Sequence, residues 1–266
     1  MLTAMNQNDL CYLSATEALA QFRDRSLSPV ELLDAVIRRA EQTEPTVNAL
    51  CLRYFDEARE QALIAERNWQ TNNARPLEGI PIAIKDEALI AGKVTTNGSL
   101  LLQDSVATET DVLVQRLLAA GAIIHARTTT PEFSMAFVTG SRIWGTTRNP
   151  WNPAITPGGS SGGAGASLAA GSTTLASGSD IAGSIRVPAS MNGIVGFKPP
   201  YGRVPQSAPY NLDCYSQEGP MARTVEDCRL MQNLIAGPHL RDPAAIAPQL
   251  EIPPTLPDIR DWRIGY

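Results

Sequence analysis

Apolar positions along this chain first follow a helical rhythm and then a strand rhythm. Val30, Leu33, Val36 and Ile37 recur at three- and four-residue spacing, which turns one stripe of a helix inward. Two helix starts are marked by polar residues. Ser14-Ala15-Thr16-Glu17 and Ser28-Pro29-Val30-Glu31 both have the serine and the later glutamate of a capping box, and Pro29 occupies the first helical position of the second. Residues 1–75 therefore read as an N-terminal helical arm. The period then shortens. Ile80, Ile82 and Ile84 crowd into the run Leu77 to Asp86 behind Gly79, which suits a buried strand that closes on Lys85. An amphipathic stretch from Asp111 to Ala120 ends at Gly121, and Ala122 to Ala126 follows as a second apolar strand. Helix followed by strand is the order of an α/β protein.

From Thr139 to Pro200 the chain turns to Gly, Ser, Ala and Thr, the composition of a flexible linker. Apolar residues interrupt it throughout, among them Leu168, Leu175, Ile181, Ile185, Ile194 and Phe197, so the small residues read as sites of close backbone packing. Thr224 to Asp227 caps a last helix that runs to Ile235 and stops at Gly237-Pro238. Residues 76–237 thus read as the core. Six prolines between Pro238 and Pro257 make residues 238–266 a surface linker. Trp262, Ile264 and Tyr266 then alternate like the opening of a further strand, and the sequence stops there, as if more protein followed.

Composition narrows the partners. With 266 residues, 43% hydrophobic and 18% charged, the chain has the makings of a buried core and is neither disordered nor fibrous. A net charge of −5 without a basic run offers nucleic acid no direct footing, and no apolar run approaches the roughly 18 residues that span a bilayer. No basic start followed by an apolar stretch marks the N-terminus, and Cys11, Cys51, Cys214 and Cys228 are widely spaced, as in a cytoplasmic protein with reduced thiols. The only histidines, His125 and His239, lie far apart with no cysteine cluster beside them, which argues against a metal site.

Two turns set serine hydroxyls among residues too small to shield them: Gly158 to Gly163, with Ser160 and Ser161, and Ser179 to Arg186, with Ser184. If the second turn curls ahead of a helix, the backbone N–H groups of Ile181, Ala182, Gly183 and Ser184 converge as an oxyanion hole, and a serine beside such a nest points to acyl transfer. The base is less obvious. His125 sits in an apolar strand and reads as structural, and His239 lies among prolines. Lys85 is the better base, because an amine at the end of an apolar strand loses solvation in its charged form and its pKa falls toward neutrality. Asp86 would oppose that shift, but adjacent strand residues point to opposite faces. The plainer reading of Lys85 is a lysine snorkelling at a strand edge.

Lys85, the Gly158 to Gly163 turn and the Asp180 to Arg186 segment together resemble the amidase signature family of amide hydrolases. Lys85, Ser160 and Ser184 stand 75 and 24 residues apart, in the order and spacing of that family's Ser-Ser-Lys triad. The flanking runs Gly145 to Pro153 and Gly193 to Pro199 resemble it too. The resemblance implies a mixed β-sheet core flanked by helices and hydrolysis of a carboxylic amide through an acyl-enzyme, without a cofactor. It implies Ser184 as nucleophile, Ser160 as bridging serine, Lys85 as base, the N–H groups of Ile181 to Ser184 as oxyanion hole, and Asp180 and Arg186 as scaffold. It also implies a cis peptide bond after the bridging serine, at Ser160–Ser161. Ser134, in a segment resembling the loop that lines the family's acyl pocket, is a candidate substrate contact. The sequence departs from the family at Ala182, where a glycine is usual and a methyl group would crowd a loop of unusual dihedrals. The partner implied is a small-molecule amide, and a homodimer is compatible with the resemblance.

Two rival readings accompany this one. Gly158-Gly159-Ser160-Ser161-Gly162 also fits the G-x-S-x-G elbow of α/β-hydrolases, with His239 as its downstream base. Alternatively the chain is a truncated or degenerate homologue, a binding subunit or gene fragment, weak or inactive alone because strands and part of the pocket are missing. A phosphate loop is excluded for want of G-K-[ST].

Overall fold

Both capping boxes form. In the computed structural model, which describes residues 10–255, 258–260 and 262–263, Ser14 caps helix α1 (Ala15–Arg23) and Ser28 caps helix α2 (Pro29–Val47), each with its glutamate returned to the cap N–H. The helical reading of the first 75 residues misses one element. Strand β1 (Leu50–Arg53) intervenes before helix α3 (Phe55–Gln70), and its four residues are too few to show an alternation. Glu44, near the end of α2, accepts from the N–H groups of Ala49 and Leu50 and so starts that strand.

The two strands read from their isoleucines are β2 (Pro81–Lys85) and β3 (Ile123–Thr128), with helix α4 (Val112–Ala119) between them. A short ladder, β4 (Gly140–Ser141) with β5 (Gly145–Thr146), precedes helix α5 (Gly162–Ala170). Then come β6 (Leu175–Asp180), helix α6 (Arg186–Asn192), β7 (Val195–Gly196), β8 (Gln217–Ala222) and helix α7 (Val225–Ile235). The main sheet has the order β1-β3-β2-β6-β8-β7; β3, β2 and β6 run parallel, and the outer pairings are antiparallel. It is the mixed sheet expected, flanked by helices.

Side-chain alternation divides the core. Ile82 and Ile84 pack with Leu113, Leu117, Met231 and Ile235 of α4 and α7, while Ala83 packs with Ala40 of α2. The glycine-rich region packs by close approach, as its composition predicts. A Cβ on Gly163 would stand 2.5 Å from the backbone nitrogen of Thr129, and one on Gly165 would stand 2.7 Å from Asn192 Nδ2. Only glycine lets α5 lie this near β3 and α6. Residues 238–255 carry no helix or strand, but Ile246 N–H donates to Gly202 and Asn233 Nδ2 to Ile252, which fastens this segment to the body. The strand expected from Trp262 to Tyr266 falls largely outside the described residues; Trp262 itself closes a turn onto Ile259.

Candidate active site

Lys85 is the last residue of β2, and its side chain is 1% exposed. Its backbone N–H donates to Ser177 Oγ, and its ammonium nitrogen donates to Ser160 Oγ and Ser179 Oγ, both at 2.8 Å. Burial lowers the Lys85 pKa, opposed by Glu87 and, more weakly, by Glu218 and Asp180. Asp86 takes no part. It faces away, as alternation requires, and pairs with Arg127 at 3.3 Å, with both side chains fully buried. Ser160 precedes α5, and Ser160 and Ser184 line one cavity that opens to solvent. Ser161 N–H donates to the Ser184 carbonyl at 3.1 Å, so the two serine turns lie against each other. The cis peptide bond is Gly159–Ser160, one residue earlier than expected. The chain there has room only for glycine, since a Cβ on Gly159 would meet Ala136 O at 2.6 Å and Val138 N at 2.7 Å.

Asp180 organises the second turn. Its buried carboxylate accepts from the N–H groups of Gly183, Ile185 and Arg186 and from the Arg186 guanidinium at two points, while Lys198 donates to the Ile181 carbonyl. Burial alone would raise the Asp180 carboxyl; the guanidinium and these N–H groups outweigh it and hold it at about 2. The clamp changes the expected oxyanion hole. Gly183 N–H points to Asp180 Oδ1 at 2.7 Å, whereas the N–H groups of Ile181, Ala182 and Ser184 have no acceptor among the described residues. The expected crowding at Ala182 is absent. Its side chain is exposed, and the positive φ of the loop, 130°, falls on Gly183 instead.

Ser134 lines the same cavity, but its hydroxyl donates to Glu87 Oε2 at 2.5 Å. Glu87 and Ser179 were missed in the sequence. The alternation of Ser177 with Ser179 along β6 is the signal that points to Ser179; Glu87 lies on the turn past the end of β2, where alternation no longer fixes a direction. Asp111 and Glu218 also line the cavity, with Phe133, Met135, Ile181 and Tyr210 giving it an apolar rim. Neither histidine does. His125 is fully buried in β3, its ring nitrogens on the carbonyls of Ile82 and Ser172, and burial lowers its pKa to about 4. His239 lies in the irregular segment after α7. The elbow reading also lacks its strand, because the chain from Thr147 to Ser160 forms none. Among the described residues no group of three His, Cys, Asp or Glu side chains is placed to hold a metal ion, and no helix is long and apolar enough to cross a membrane.

A buried lysine on a serine, a second serine in the same cavity and a mixed sheet behind them define the class. The chain belongs to the amidase family, whose family model, described as Amidase, matches residues 31–266. It is 37% identical over 98% of its length to an acylamidase of Rhodococcus erythropolis, and 39% identical over 97% to a glutamyl-tRNA(Gln) amidotransferase subunit of Carboxydothermus hydrogenoformans. It spans about half the length of these curated relatives, 56% and 54% respectively. Among solved structures, a bacterial aryl acylamidase of the amidase signature enzymes superposes with a TM-score of 0.85 at 34% identity, covering 90% of this chain and 51% of that one. A 6-aminohexanoate cyclic dimer hydrolase gives 0.83 at 33% identity, covering 91% and 50%.

Proposed function

We propose that this chain carries the catalytic centre of a hydrolase of carboxylic amides, with Ser184 as nucleophile, Ser160 as proton relay and Lys85 as base. The observation that carries the reading is the 2.8 Å hydrogen bond between the Lys85 amine and Ser160 Oγ, buried behind a cavity that Ser184 also lines. Ser184 Oγ attacks the amide carbon as its proton passes to Ser160 and the Ser160 proton passes to neutral Lys85. The carbonyl oxygen becomes an oxyanion held by the N–H groups of Ile181, Ala182 and Ser184; one such donor contributes roughly 2.7–4 kcal/mol. Collapse of the intermediate breaks the C–N bond, and the departing nitrogen recovers the proton from Lys85 through Ser160. Water then cleaves the acyl-enzyme by the same relay, releasing the acid and regenerating Ser184. The apolar rim suits an aliphatic or aryl acyl group on a small amide, and the acylamidase relatives support that substrate class.

A fluorophosphonate probe tests the assignment. It is expected to label Ser184 and to lose its adduct in Ser184→Ala, while Ser160→Ala slows labelling without moving it. Labelling that survives Ser184→Ala and disappears in Ser160→Ala contradicts the assignment and favours the elbow reading.

A further inference from the structure

The reaction proposed above makes no use of Glu87. This residue stands on the turn leaving β2, two positions after Lys85, with its side chain 12% exposed and its Oε2 3.2 Å from the lysine amine. The same oxygen accepts the Ser134 hydroxyl, and Ser179, which Lys85 also contacts, helps Ser134 and Lys85 hold the Glu87 carboxyl below its ordinary value. Ser134 is itself held in an uncommon conformation. Phe133 and Ser134 both have positive φ, 51° and 59°, a region that non-glycine residues keep only when their surroundings fix them. Thr130 Oγ1, 3.0 Å from Ser134 Oγ, braces the hydroxyl from behind.

We propose that Glu87 is a positioning residue for Lys85: its carboxylate is the counter-ion that holds the resting amine as an ammonium against Ser160, and Ser134 is the latch that aims it. The proposal rests on Lys85 being the base. To act, Lys85 must release that proton; burial favours release and Glu87 opposes it, so Glu87 sets how alkaline the medium must be before the relay opens.

The other groups facing Lys85 do not replace Glu87. Glu218 on β8 is raised well above its ordinary value by burial and by Asp111 and Glu87, and it acts on Lys85 more weakly than Glu87 does, with no hydrogen bond or ion pair to the amine among the described residues. Asp111, ahead of α4, is raised by burial and bonded to Leu89 N–H. Asp180, ending β6, is clamped on Arg186 and 3.7 Å from Lys198. The Tyr210 phenol is raised by burial and stays neutral. For Glu87 itself burial acts upward, but Lys85 and the hydroxyls of Ser134 and Ser179 outweigh it and keep the carboxyl ionised.

The test reads Lys85 directly. The chain has three lysines, Lys85, Lys93 and Lys198, so lysine labelled with 13C at the ε carbon gives three NMR signals, and Lys85→Ala identifies the one that matters. Glu87→Gln is expected to lower the midpoint of the Lys85 titration by about one to three pH units, the effect of an opposite charge at this range. Glu218→Gln is expected to move the midpoint clearly less than Glu87→Gln does. An unmoved midpoint in Glu87→Gln, or an equal shift in Glu218→Gln, overturns the proposal. So does a wild-type Lys85 already neutral at pH 7, a result that depends on no variant folding. Because no turnover is measured, a failure of the amidase reading appears separately, in the fluorophosphonate labelling.

Discussion

Lys85 and Asp180 end neighbouring parallel strands, and burial acts on them with opposite results. Lys85 has little to offset the loss of water around its ammonium except Glu87, so its pKa falls below the usual lysine range. Asp180 is surrounded by donors and stays charged. The sign for catalysis follows. A base whose pKa is lowered is protonated and idle on the acid side and becomes competent as pH rises through that value. Amide hydrolysis is therefore expected to rise with pH along a limb whose midpoint lies below the roughly 10.4 of a free lysine. Lys85→Ala is expected to abolish the limb and about 10²–10⁴-fold of the rate, the usual contribution of a general base. Lys85→Arg is expected to fail equally, because a guanidinium does not release its proton in this range. A pH–rate profile unchanged in Lys85→Ala contradicts the role. At this scale the sequence speaks where chemistry is scarce: three lysines and two glycine-rich serine turns draw the eye to Lys85 and those turns, the family resemblance picks out Ser160 and Ser184 within them, and the fold sets Lys85 on Ser160 beside a cavity that Ser184 lines. Glu87 was hidden because strand alternation sends Asp86 away from the amine and says nothing of the turn beyond it.

Elements meet at the site through glycine. Helix α5 follows Ser160 and Ser161 directly, and its depth is set by Gly163, where a Cβ would lie 2.4 Å from Thr129 Oγ1 and 2.5 Å from Thr129 N. Backbone cannot yield as a flexible side chain does, so Gly163→Ala is expected to lift α5 away from β3. Overpacking of this kind costs about 1–3 kcal/mol, which for a chain of this size lowers Tm by roughly 2–12 °C. The displacement should also slow fluorophosphonate labelling of Ser184, because Ser160 moves with the helix. Calorimetry and labelling on the one variant test both, and full labelling with unchanged Tm contradicts the packing argument. The sequence shows that small residues sit here. It does not show which neighbour each of them touches, because those contacts cross from α5 to Thr129, Thr139 and Asn192.

Over the whole molecule, contacts distant in sequence join the ends of the described fold. Asp227 at the start of α7 accepts from the N–H groups of Ala15 and Thr16 at the start of α1, and Arg223 reaches the Leu13 carbonyl. Local patterns locate both helices correctly and give no hint that one carboxylate caps the other's first turn. The location of the two histidines has a consequence of its own. Hydrolases that depend on imidazole lose activity when that ring is acylated. Here one ring is sealed in β3 and the other lies outside the cavity. Diethyl pyrocarbonate, reversed afterwards with hydroxylamine to exclude other adducts, is thus expected to derivatise His239 while Ser184 keeps its reactivity toward the fluorophosphonate. Inactivation that tracks the His239 adduct would contradict this. A centre built as proposed, on an amine and two hydroxyls, is expected to withstand a whole class of reagents that define its histidine-dependent counterparts.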